Sequence, residues 1–371
     1  MIASLLLAAA LVASPAQVQP ALDRAVSENG APGIAAEVRE GNKRWFGSAG
    51  FSNTETARGR RPNERFRIGS ATKAFTAAVV LQLAGEGRLS LDDRIQHWLP
   101  GLVRGNGYDG GRITVRQLLN HTSGIFNYGN DPEFFAKGRG AAWFEHRYDV
   151  VTPEELVGIA LRNPPYFAPG GGFAYSNTNY ILAAMIVEKA TGRTFGDEVT
   201  RRIIRPLRLT GTYLPGTEAR IRGPHPVHYS TLFSQEPNPA VYDAGDMNQS
   251  AAWSAGGMVS TVGDLNRFFG ALLGGRLLPA AQQREMFTTV ETKGGPAWIP
   301  GTRYGLGVFT QRLSCGTWVW GNAGATYGSW TYAMGRRDGR HMLATEINGD
   351  WSGLNVFADV LSAEFCPVGS R

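Results

Sequence analysis

Ser70 and Lys73 are spaced so that one could activate the other. They stand in Phe66-Arg67-Ile68-Gly69-Ser70-Ala71-Thr72-Lys73-Ala74-Phe75, where a short apolar run ends in Gly-Ser. A helical pattern follows at once and continues to about Glu86. Residues three apart on a helix share one face, a turn from each other. The first turn also offers unpaired backbone N–H groups and the positive end of the helix dipole, which favour developing negative charge. A hydroxyl beside an amine at such a point is the layout of an activated serine nucleophile. About 100 residues downstream, after Pro169-Gly170-Gly171-Gly172-Phe173, comes Tyr175-Ser176-Asn177. A tyrosine followed by helix-capping residues can present its phenol at a cleft edge. That phenol would exchange protons with the nucleophile or the leaving group, provided Lys73 lowers its pKa.

The elements that must position these residues can be read from periodicity and breakers. Residues 20–29 form a short amphipathic helix closed by Gly30, and residues 33–39 and 44–51 alternate as half-buried strands. From about residue 91 short helices are joined by loops rich in Gly, Pro and Asn. Thr152-Pro153-Glu154-Glu155 is a helix start, with Thr as N-cap and Glu at the third position. Residues 177–191 form a helix ended by Gly192. Strands return at 304–313, 317–321, 330–334 and 341–347 as an antiparallel meander, with helices at 261–273 and 354–365. The fold class is therefore α/β (α+β), an antiparallel sheet flanked by helices plus a helical subdomain. Residues 17–90 and 251–371 make the sheet unit, and residues 91–250 make a mainly helical insertion.

Composition narrows the function. Of 371 residues, 43% are hydrophobic and 18% charged, which argues against disorder. The net charge of +6 comes from arginine, since only five of the 37 basic residues are lysines. No basic run interleaves with aromatics, so a nucleic-acid partner is not expected. Residues 1–16 are mostly apolar, too short to span a bilayer, and end in Ser14-Pro15-Ala16. They read as a secretory signal peptide without its usual positive start, so export is expected and stable membrane insertion is not. Two cysteines, Cys315 and Cys366, suit a disulfide in that compartment. They are far apart and lack a histidine cluster, and His225 and His228 lie in a Pro-rich loop without carboxylates, so no metal is expected. His121 reads as a residue that shapes a loop.

Taken together, Ser70-x-x-Lys73, Tyr175-Ser176-Asn177 and a Gly-containing strand resemble the penicillin-recognising serine enzymes. The similarity is closest to class C β-lactamases and the secreted D-alanyl-D-alanine carboxypeptidases. Ile113-Thr-Val-Arg-Gln-Leu-Leu119, His121-Thr-Ser-Gly124, Tyr304-Gly-Leu-Gly307 and Leu313-Ser-Cys-Gly316 extend it along nearly the whole chain. The resemblance implies an acyl-enzyme on Ser70, with Lys73 and Tyr175 sharing proton transfer and Asn177 holding Lys73 and the substrate amide. It places the oxyanion between the backbone N–H groups of Ser70 and Ala325. It implies no cofactor, and a peptide, amide, ester or β-lactam substrate handled by a monomer.

The departures from that pattern concern the substrate. Where the family carries Lys-Thr-Gly or His-Thr-Gly, this chain has Asn322-Ala323-Gly324-Ala325 as the substrate-binding stretch. Phe309 stands where the carboxypeptidases place an arginine for the terminal carboxylate. A charge-assisted hydrogen bond is worth about 1.5–3 kcal/mol, so these losses weaken carboxylate recognition by orders of magnitude. Phe309, Trp318, Trp320, Tyr327 and Trp330 are expected to form an apolar cleft wall. D-Alanyl-D-alanine carboxypeptidase-like hydrolysis is the first reading. The alternative is an esterase, D-amino-acid amidase or transacylase on a substrate without a free terminal carboxylate. A non-catalytic penicillin-binding protein is the reading from another class.

Overall fold

Both ends of the chain contribute strands to one antiparallel sheet. The computed structural model describes residues 17–293 and 298–367, and the expected signal segment lies outside the described residues. An opening helix α1 (Val18–Ser27) leads into β1 (Gly33–Glu40), β2 (Lys43–Asn53) and the short β3 (Arg58–Gly59). The buried helix α2 (Thr72–Gly85) follows. The middle of the chain carries α3 (Val115–Leu119), α4 (Pro153–Leu161), α5 (Asn177–Thr191) and the single turn α6 (Trp253–Gly256). After α7 (Val262–Leu273) come β4 (Val290–Glu291), β5 (Thr302–Tyr304), β6 (Phe309–Arg312), β7 (Trp318–Thr326), β8 (Ser329–Gly335) and β9 (His341–Ile347). Helix α8 (Leu354–Phe365) follows the last strand. The strand order is β4-β5-β6-β7-β8-β9-β1-β2-β3. The amino-terminal hairpin is thus sewn onto β9, in register from Ile34↔Ile347 to Glu40↔His341.

Burial explains the layers. On one face α1 and α8 pack Val18, Leu22, Phe357 and Val360 against Ile34, Val38, Leu343 and Ile347. On the other face α7 lies against β1, β8 and β9. Beyond it α2 and α5 are apolar on nearly every side, as a helix must be when enclosed by others. Local signals set the ends of these helices. Thr152 caps α4 reciprocally with Glu155, and Gly192 ends α5 at φ +70°. Cys315, in the turn between β6 and β7, is bonded to Cys366 at the end of α8.

Two local readings need correction. Residues 304–313 are not one strand, because Gly305 N–H bonds to the Val308 carbonyl at 2.8 Å and turns the chain between β5 and β6. Gly307, at φ +75°, makes that turn possible. The helix after Gly69 also does not start at once. Ser70 is the middle residue of a 3₁₀ turn, Gly69–Ala71, and α2 begins at Thr72.

Candidate active site

The 3₁₀ turn places Ser70 at the mouth of α2, with Lys73 behind it. Lys73 is fully buried. Its Nζ lies 3.0 Å from Ser70 Oγ, 2.8 Å from Asn177 Oδ1 and 2.6 Å from the Ala255 carbonyl oxygen. Burial pushes its pKa well below the ordinary lysine value, and no carboxylate offsets that. A neutral amine has two hydrogens and one lone pair. The two carbonyl-type oxygens accept the hydrogens, so the lone pair is left for the Ser70 hydroxyl. The arrangement is that of a general base on a serine.

Tyr175 completes the contact from the other side. Its hydroxyl donates to Ser70 Oγ at 2.6 Å, and Lys73 Nζ sits 4.7 Å from its ring centroid. The expectation that Lys73 lowers the Tyr175 pKa is overturned. Burial dominates and pushes the phenol well above its ordinary range, so it stays protonated and donates. The ring is clamped between His121, at 4.4 Å between centroids, and Trp298, stacked at 4.5 Å. Asn177, first residue of α5, is fixed by its backbone N–H bonding to Asn127 Oδ1 at 3.1 Å.

The opposing wall is β7. Strand β6 pairs with it only from Arg312↔Trp318 to Phe309↔Gly321, whereas β8 pairs along it to Thr326↔Ser329. From Asn322 onward, one edge of β7 is therefore free of a strand partner. The Ser70 turn fills part of that gap. A Cβ on Gly324 would lie 2.0 Å from the Ile68 oxygen and 2.7 Å from Ser70 N, so only glycine permits the approach. A Cβ on Gly69 would lie 2.8 Å from Ala325 N. The backbone segments that carry the Ser70 and Ala325 nitrogens are thus packed directly against each other, the close approach that an oxyanion hole requires.

Other expected parts of this wall do not face the substrate. Asn322 is buried, and its Nδ2 donates to the Gly307 carbonyl at 2.8 Å while Oδ1 accepts from Ala323 N–H at 2.7 Å. Its amide is spent on backbone. Ala323 packs into the core beneath the sheet. Phe309 is buried behind Trp298 at 6.2 Å. Trp318 is 43% exposed, Trp320 packs edge-on against Phe287, and Trp330 stacks on Phe357 of α8. Of the five aromatics expected in the wall, only Tyr327 lines the cavity beside Ser70. That cavity, about 830 Å³, is lined from the helical insertion by Phe134, Phe135, Trp143, Val151 and Ile159. Ala255 and Trp298 were not foreseen, the first because a backbone carbonyl leaves no mark in a sequence of small residues. Among the described residues no group of three or more His, Cys, Asp or Glu side chains could hold a metal. No described helix is long and apolar enough to cross a membrane.

A Beta-lactamase family model matches residues 18–348. The chain belongs to the beta-lactamase family. Among curated proteins it is 28% identical over 273 residues to penicillin-binding protein 4* of Bacillus subtilis, covering 71% of this chain and 57% of that protein. The chain spans about half the length of the curated relatives it matches. Two solved structures match over most of the chain. A D-stereospecific amidohydrolase from Streptomyces sp. is 48% identical with a TM-score of 0.87, covering 95% of this chain and 98% of that one. The D-amino acid amidase of Ochrobactrum anthropi SV3, complexed with L-phenylalanine amide, is 26% identical with a TM-score of 0.78, covering 94% and 97%. The chain's fold and family are those of serine hydrolases.

Proposed function

We propose that the chain is an amidohydrolase for D-amino-acid amides and related amides or esters, acting through an acyl-enzyme on Ser70. The observation that carries this reading is the wall opposite Ser70. The Asn322 amide is turned to backbone, its neighbour is a methyl group, and Phe309 is buried, so none of these three positions grips a terminal carboxylate. The 48% identity to a D-stereospecific amidohydrolase supports the same choice over a carboxypeptidase.

In this mechanism Ser70 Oγ attacks the carbonyl as its proton passes to the Lys73 lone pair. The oxyanion is held by the N–H groups of Ser70 and Ala325. Tyr175 gives its proton to the departing nitrogen, and the Lys73 ammonium near its ring stabilises the phenolate so formed. Water then attacks the ester, losing a proton to Tyr175, and Lys73 returns its proton to Ser70. Export belongs to the same proposal, supported by the apolar first sixteen residues and the Cys315–Cys366 bond.

The test is a panel: D-phenylalanine amide, L-phenylalanine amide, a peptide ending in D-Ala-D-Ala, and an aryl ester. Acyl-enzyme mass and product release are followed together. Turnover of the D-amide should exceed that of the D-Ala-D-Ala peptide by about 10–100-fold for each lost carboxylate contact. Release of D-alanine at a rate equal to the amide would overturn the assignment. An acyl adduct that never turns over would mark a penicillin-binding protein instead.

A further inference from the structure

We propose that His121 is a positioning residue, a neutral imidazole that holds Tyr175 against Ser70 by an acceptor at its back and a ring at its side. This rests on the reading of Tyr175 as the proton-transfer group. His121 is fully buried and lies at φ +61°, an uncommon backbone state for a residue with a side chain. A residue held there by packing alone would have no reason to be polar. This one is used through Nδ1 and through the faces and edges of its ring.

The tautomer follows from its partners. The backbone N–H of Ser176 reaches His121 Nδ1 at 3.2 Å, and a peptide N–H can only donate. Asn179 Nδ2 approaches the same nitrogen at 3.2 Å, its Oδ1 being engaged by the Ser123 hydroxyl at 2.6 Å. Nδ1 is therefore the acceptor and the proton is on Nε2. The peptide so fixed joins Tyr175 to Ser176, one residue before Asn177, and Tyr175 and Asn177 both touch the Ser70–Lys73 pair. His121 acts on two site residues through one hydrogen bond.

The ring does the rest. Nε2 has no hydrogen-bond partner and sits among the rings of Tyr175, Tyr304, Tyr180 and Phe173, at 4.4, 4.8, 5.3 and 5.8 Å between centroids. Such surroundings take an N–H only through its weak attraction to π faces. The charged and titratable groups facing it are Lys73, Tyr175, Tyr180 and Tyr304, and none is an acid at neutral pH. Burial holds the imidazole well below its ordinary pKa, and a proton arriving on Lys73 acts in the same direction. It offers Tyr175 an uncharged wall opposite Trp298. The phenol then has little freedom except along the line to Ser70 Oγ.

A double-mutant cycle separates positioning from general support of the fold. His121→Asn keeps an acceptor near the Nδ1 position and suits the positive φ but removes the ring. His121→Phe keeps a ring and removes the acceptor. Each is combined with Tyr175→Phe, and single-turnover acylation by an activated aryl ester is measured with enzyme in excess. In the native background each variant should slow acylation about 10–100-fold at nearly unchanged KM, the scale expected for a misplaced reacting group. In the Tyr175→Phe background each should cost less than about 3-fold, because the group being positioned is gone. Equal losses in both backgrounds, or a native rate for His121→Asn, would overturn the inference. Should His121→Phe fail to fold, His121→Asn alone decides. Native-rate acylation by Tyr175→Phe would instead remove the role given to Tyr175.

Discussion

A buried lysine keeps its charge only where dipoles or carboxylates replace the hydration it has lost. Lys73 has two carbonyl-type oxygens and one hydroxyl, and no acid, within hydrogen-bond reach. Burial therefore favours the amine, which is the form able to accept the Ser70 proton. The direction of the pH effect follows. Below its pKa Lys73 is protonated and cannot act as base, so acylation rises tenfold per pH unit. Above it the rate is flat. Because burial lowers that pKa, the bend must come before the ordinary lysine value of 10.5. Tyr175 is shifted the other way, so its ionisation adds no falling limb up to the ordinary tyrosine value of 10.0. Measuring kcat/KM for a non-ionising aryl ester from pH 5 to 10 checks both statements, since that ratio reports the free enzyme. A rate still climbing tenfold per unit at the alkaline end would show an unperturbed lysine.

Elements decide what the sequence can disclose. Ser70 and Lys73 were legible because i, i+3 spacing sets their relation locally, whereas Tyr175 and Asn177, separated from them by 105 and 104 residues, were joined to them by the family resemblance. The opposite wall was not legible, because it depends on where β6 stops and which way β7 faces. No residue type announces that β6 ends against Gly321, or that Asn322 turns to Gly307. Gly324 carried the clearest available signal, a glycine inside a strand, which marks a close backbone approach. Replacing it by alanine puts a carbon 2.7 Å from Ser70 N, against backbone that cannot swing aside. Gly324→Ala should push β7 off the turn and lower kcat by about 10²–10³, the cost of one oxyanion donor. Gly59→Ala, in β3 with nothing within 4 Å of the added carbon, is the control expected to retain native kcat. Equal kcat for both variants would show that β7 need not sit so close.

Across the described residues, the site is built between the sheet and the helical insertion, while the first and last helices, α1 and α8, meet on the far face. There α1 and α8 cover the sheet, and Cys366 ties the end of α8 to the turn before β7. The bond closes a loop with a sequence separation of 51 residues. In the chain-entropy model such a loop contributes about 4 kcal/mol, chiefly by limiting the unfolded chain. Its removal should therefore act on stability and leave chemistry alone. Phe357 and Val360 still bury their side chains without it, and neither touches the cavity beside Ser70. The expected result for Cys315→Ser/Cys366→Ser is unchanged kcat on the aryl ester at 25 °C. Denaturant unfolding, read with and without reductant, should show the native protein losing stability on reduction and the variant indifferent. A fall in kcat that matches the loss of stability would mean that α8 reaches the site through β7. In that case the strand holding Ala325 would be positioned from the far side of the sheet, and Gly324 would not set its distance from Ser70 alone.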